Sequence, residues 1–129
     1  GAFNAAAALE TLEHLPPDMV PEYIAQISRV TRGYLLVSVP NEMGPVFLSK
    51  YLAKLVVYGD AQDYSLKEIV AATVWRSDLV ARNDHKGFDF RRLIEEIEKR
   101  FRITSIEGVP FRWLPPSYSP TVAIVAASV

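Results

Sequence analysis

Glu10, Glu13 and His14 stand at positions i, i+3 and i+4 immediately after a short apolar run from Phe3 to Leu9. One helical turn beginning at Glu10 would bring all three side chains to the same side. Two carboxylates and an imidazole gathered in this way are the raw material of an acid–base site. Unperturbed imidazole titrates near roughly pH 6.5, so His14 is suited to taking a proton from an acceptor group at neutral pH, with Glu13 beside it. The chain has one other imidazole, His85, in the polar loop Arg82 to Gly87, and it is a second candidate for the same task. The plainer alternative is that Glu10, Glu13 and His14 only stabilise the start of a helix.

The elements around this cluster decide where it can sit. Phe3 to Leu9 has no polar alternation, which is the pattern of a strand covered on both faces, although its alanines leave a helix open. Pro16-Pro17-Asp18 announces a helix, with Asp18 available as a cap and Pro21 tolerated in the first turn. Val20, Ile24, Ile27 and Val30 give that helix one apolar face to about Thr31, where Gly33 is placed to end it in a left-handed conformation. Tyr34 to Val39 then reads as a second apolar strand, closed by Pro40. Strand, helix and strand with short connections make a βαβ unit with parallel strands. The carboxyl ends of both strands then lie on one edge, where open α/β sheets bind ligands, so Glu10 and Asn41-Glu42 are expected to face one crevice.

Residues 44–76 read as a helical insertion over that crevice. Val46, Phe47, Leu48, Tyr51, Leu52, Leu55 and Val56 form a broad apolar stripe, Gly59 breaks it, and the capping box Ser65-x-x-Glu68 opens a second short helix. Two helices packed on a core explain this segment; a lid over a hydrophobic substrate is the sharper reading. Asp89 can cap a further helix with its stripe at Phe90, Leu93, Ile94, Ile97 and Phe101. Arg102 to Glu107 reads as a strand, and Thr121 to Ala127 as an interior strand. The loop between them carries Phe111, Trp113 and Tyr118, aromatics that either close a core edge or stack on a planar ligand.

Composition narrows the class. The chain has 129 residues, half of them hydrophobic, which suits one domain with a single core. With 14 basic and 15 acidic residues the net charge is −1, and no bulk attraction to nucleic acid or an anionic membrane is expected. There is no cysteine, hence no disulfide and no thiolate metal site, and no run approaches the roughly 18 apolar residues of a membrane span. A cytoplasmic protein is the default expectation.

The run Ala8-Leu9-Glu10-Thr11-Leu12-Glu13-His14-Leu15, followed by a helix and by Gly33-Tyr34-Leu35-Leu36-Val37-Ser38-Val39-Pro40-Asn41-Glu42, resembles the fourth and fifth strands of class I S-adenosylmethionine-dependent methyltransferases. The later amphipathic helix, strand, long connection and apolar last strand fit the same family. The resemblance implies an α/β three-layer fold with a mixed sheet of order four, five, seven, six, the last strand antiparallel. It covers the whole chain but only the C-terminal half of the family's Rossmann-like domain. The first three strands, the Gly-rich cofactor loop and the ribose-binding acidic residue have no counterpart in residues 1–129.

The resemblance implies S-adenosylmethionine as cofactor of the complete domain, touched here only by Ala8, Leu9 and Glu10, and a small-molecule acceptor. Two branches of the family use a Glu-x-x-Glu-His pattern to hold a divalent metal. By that likeness Glu10, Glu13, His14 and, in one branch, His85 would hold Mg²⁺, Mn²⁺, Fe²⁺ or Zn²⁺. The strand at residues 3–9 would lie on an open edge, expected to pair with a missing N-terminal half or with a second copy in a homodimer. Alone, the chain is expected to bind the cofactor weakly or not at all. The rival expectation is a non-catalytic module that associates through this edge.

Overall fold

A computed structural model describes residues 2–59, 64–82 and 86–129. Strand β1 (Phe3–Leu9) forms despite four consecutive alanines, because its ladder with β2 supplies the pairing that alanine does not favour by itself. Helix α1 (Val20–Val30) returns the chain and β2 (Thr31–Pro40) lies parallel to β1, with Ala8 opposite Val37 and Leu9 opposite Ser38. Helices α2 (Gly44–Tyr58), α3 (Leu66–Thr73) and α4 (Phe90–Glu98) follow, then β3 (Phe101–Val109) and β4 (Thr121–Ser128). The sheet order is β1-β2-β4-β3, with β4 antiparallel to both neighbours. This is the mixed four-strand arrangement expected from the resemblance, and it leaves β1 on an edge.

The main core lies on one face of the sheet. Leu35, Val37 and Val39 of β2 and Val122, Ile124 and Ala126 of β4 meet Ile24 of α1 and Leu93 and Ile97 of α4. The opposite face is open at Tyr34 and Leu36, both exposed. The described residues therefore build the sheet with a helical layer against one face. β2 reads as unbroken apolar sequence because its second face is also apolar, although uncovered here.

Three local expectations need correction. Helix α1 ends at Val30, and Thr31 is already extended (φ −108°, ψ 125°), so Gly33 lies inside β2 and ends nothing. Its value is steric: a Cβ at Gly33 would collide with the Asn4 carbonyl, at the point where the β1–β2 register shifts. Asp18 sits in a 3₁₀ turn (Pro17–Met19) ahead of α1 and does not cap it, whereas Pro21 does occupy the first turn. The last strand pair also begins earlier than its sequence pattern implies, since Phe101 opens β3 instead of closing α4.

Residues 44–76 close a second, smaller core with their flanks: Phe47, Ala71 and Ala72 pack with Met43 and Val80. Trp75 packs against both cores. Its backbone and that of Gly44 are both left-handed (φ 65° and 73°), and a Cβ on Gly44 would lie 2.6 Å from the Trp75 indole. The two ends of the segment are thus clasped together. Gly59 stops α2 in the left-handed conformation (φ 65°), as its position suggested, and the last turn of α2 leaves Val56, Val57 and Tyr58 exposed. Among the described residues no helix is long and apolar enough to cross a membrane.

The capping box at α3 forms as expected, and its Glu68 does more than cap. The carboxylate accepts from the amides of Ser65 (3.2 Å) and Ala81 (2.8 Å) and from Lys86 Nζ (3.1 Å). Donation from the Ala81 amide, then from Ser65 and Lys86, holds its carboxyl down at about 2 against an ordinary value of 4.5. A folded value below the unfolded one means that Glu68 stabilises fully above about pH 4.5 and loses that contribution as pH falls to about 2. Denaturation of Glu68→Gln should therefore show a deficit against the parent at pH 6 that closes towards pH 2. A deficit of undiminished size at pH 2 would count against this role.

Candidate functional site

The carboxyl ends of β1 and β2 lie side by side, and the polar cluster follows β1 directly. Ala8 is buried and Leu9 exposed, and Glu10 turns the chain with a left-handed backbone (φ 50°). Its amide donates to the Ser38 carbonyl (2.9 Å), and the Ser38 hydroxyl donates to Glu10 Oε1 (3.4 Å). A 3₁₀ turn (Leu12–His14) follows, where the i, i+3, i+4 argument assumed an α-helical turn starting at Glu10. The left-handed step at Glu10 breaks that periodicity. Glu10 therefore faces β2, whereas Glu13 and His14 stay together, with His14 Nε2 3.6 Å from Glu13 Oε1.

Glu13 is wholly buried, while the His14 side chain is about half exposed. Arg82 ties this turn to the segment before α4: its Nη2 donates to the Glu13 carbonyl (2.7 Å) and its guanidinium lies over the Phe88 ring at 5.2 Å. The buried Glu13 carboxyl beside the half-exposed imidazole fixes the orientation of the ring. His85 lies outside the described residues. Among the described residues no three His, Cys, Asp or Glu side chains come together to hold a metal. Of the expected set Glu10, Glu13, His14 and His85, the described members are not gathered for a divalent ion: Glu10 is directed to Ser38, while Glu13 and His14 stay together.

Asn41 was expected in the crevice and is instead entirely buried. Its Nδ2 donates to the carbonyls of Ser117 (3.0 Å) and Ser119 (3.1 Å), and its Oδ1 accepts from the Met43 amide (3.2 Å). Lys50 Nζ adds bonds to the carbonyls of Asn41 (2.9 Å) and Pro120 (3.2 Å). The loop between β3 and β4 is thereby fastened to the end of β2, and it presents Trp113, 79% exposed, in edge-to-face contact with Phe111 (6.0 Å).

Asp89 caps α4 through the Arg91 amide (3.0 Å), and it also accepts from Arg91 Nη2 (2.7 Å) and the Ser77 hydroxyl (2.9 Å). Burial works to raise its carboxyl, but donation from Arg91 and Ser77 outweighs it and holds the group below the usual range. Arg91 in turn lies over the Trp75 ring at 4.5 Å. Between this network, the start of α1 and Arg82 runs a groove of about 430 Å³. Its position was not legible in the sequence, because it is assembled from segments whose only local signal was a polar loop and one cap.

No protein-family model and no curated protein matches the chain. Among solved structures, it is similar to a SAM-dependent methyltransferase from Methanosarcina mazei at a TM-score of 0.51 and 17% identity. The match covers 99% of this chain and 60% of that one, in its C-terminal part. The fold is that of a class I S-adenosylmethionine-dependent methyltransferase. The described sheet corresponds to the C-terminal part of that methyltransferase fold, and the chain spans 60% of the matched protein's length. In that frame Ala8, Leu9 and Glu10 occupy the end of the first described strand, and Glu13 and His14 the turn leading from it.

Proposed function

We propose that these residues form the acceptor side of an S-adenosylmethionine-dependent methyltransferase acting on a small molecule. The observation that carries this reading is the sheet itself: order β1-β2-β4-β3 with one antiparallel strand, an open β1 edge and an apolar face left bare at Tyr34 and Leu36. An exposed edge strand beside an uncovered apolar face calls for further strands and a further layer. These come from another segment of the same protein or from a second copy.

The described residues fit S-adenosylmethionine as one wall of its site, with buried Ala8, exposed Leu9 and the turned backbone of Glu10 at the strand end. When bound, the cofactor supplies the methyl group to an oxygen, nitrogen or carbon nucleophile. His14 receives the proton that an oxygen or nitrogen acceptor gives up, and the buried Glu13 carboxylate favours the imidazolium that results. Residues 44–76, clasped at Gly44 and Trp75, act as the lid.

The open edge equally supports a non-catalytic module that associates through β1, and one experiment separates the two. Calorimetry should find no binding of S-adenosylmethionine to residues 1–129 alone, and binding in the micromolar range once the complementary strands are present on β1. Micromolar binding by residues 1–129 alone sinks the split-site reading. No binding with the complementary strands present leaves the module.

A further inference from the structure

We infer that the groove between the start of α1, residues 77–82 and 86–88, and the first turns of α4 is the seat of the methyl acceptor, and that the acceptor is an apolar molecule bearing one carboxylate. The word acceptor rests on the methyl-transfer reading; the carboxylate site itself stands on the groove's own geometry. Its volume of about 430 Å³ continues past Ser77 and Arg92 into a further space of about 270 Å³ beside Trp75. Sites for small ligands span roughly 300–1,000 Å³ and combine apolar walls with a few placed polar groups. Here Val20, Val80, Phe88 and Leu93 supply the apolar wall, all of them buried in the fold.

The charges at the rim select the sign of the ligand. Asp78 is held by Arg76 through Nε (3.1 Å) and Nη2 (3.0 Å), Asp89 by Arg91 (2.7 Å), and Glu96 by Lys99 (2.7 Å). Glu95 acts on Arg91 through space. Among the described residues Arg92 forms no ion pair and acts on Asp78 only through space, so its guanidinium keeps its hydrogen-bonding fork open at the rim. At Asp78, Asp89 and Glu96 a cationic ligand would have to compete with an arginine or lysine already in place. A carboxylate meets a planar fork suited to it. The groove is tied to the turn that carries Glu13 and His14 through its lining: Arg82 donates to the Glu13 backbone carbonyl, and Pro17 follows His14 by three residues.

The test is a titration of ¹⁵N-labelled protein with benzoate and, separately, with benzamide, which has the same shape and no charge. Saturable benzoate shifts at the amides of Val80, Gly87, Phe88 and Leu93 are expected. Benzamide should bind about tenfold more weakly, and Arg92→Gln should weaken benzoate about tenfold, the scale of one charged hydrogen-bonded contact. The assignment is overturned by the absence of saturable shifts at these amides, by equal binding of benzoate and benzamide, or by an Arg92→Gln variant that binds benzoate as the parent does. Failure of the methyl-transfer reading shows separately, in the calorimetry with S-adenosylmethionine.

Discussion

Asn41→Leu is expected to destabilise the protein by about 3–5 kcal/mol, a large share of the roughly 5–15 kcal/mol that holds a domain of this kind together. The side chain is fully buried, and it satisfies three backbone groups at once: the Ser117 and Ser119 carbonyls and the Met43 amide. Leucine has the same branched skeleton with bulkier tips, so the loss would come chiefly from stranding those groups at about 1–3 kcal/mol each, not from opening a cavity. Asn41→Asp is the sharper comparison. It keeps the acceptor for Met43 but points a carboxylate oxygen at two carbonyls, so it should be at least as damaging as leucine. Urea denaturation of the two variants measures this, and proteolysis should cut the loop 110–120 faster in both. A cost below about 1 kcal/mol for Asn41→Leu would mean that the loop is held by something other than this tether.

The contrast between Asn41 and its neighbours indicates what a single sequence carries. The strand at Phe3–Leu9, the βαβ unit, the capping box at Ser65 and the stripe of α4 are all local patterns, and each formed. Asn41 looked like a crevice residue because its partners lie 76 and 78 positions away, and no local spacing announces them. Gly33 carried the signature of a helix stop, yet what requires glycine there is the Asn4 carbonyl of a different strand. The cluster at the head of the chain failed in a related way. The spacing of Glu10, Glu13 and His14 is helical, but the ladder with β2 holds the Glu10 amide on Ser38 and sends the chain through a left-handed step first. The pair Glu13–His14 survived because adjacent residues need no periodicity to meet. Asp89 was legible as a cap, since capping is local, whereas its bond to Ser77 and the groove beside it depend on how three segments pack.

That surviving pair carries the second large effect. If His14 takes the acceptor proton, His14→Ala should lower kcat of the protein carrying the complementary strands, for an oxygen or nitrogen acceptor, by about 10²-fold or more, the usual contribution of a positioned acid–base group. Glu13→Gln keeps the shape and the burial but removes the charge 3.6 Å from His14 Nε2. Its effect should be smaller in kcat and visible in the pH profile. The working form of His14 is the neutral imidazole, so the rate falls on the acid side as the ring becomes protonated. If Glu13 supplies the counter-charge to the ring, removing it should move that acid limb to lower pH while kcat at the plateau drops, because the imidazolium formed in the reaction has lost that charge. A merely structural Glu13 would lower stability and leave the position of the limb unchanged. A His14→Ala variant with parental kcat across the pH range would remove the pair from the chemistry altogether.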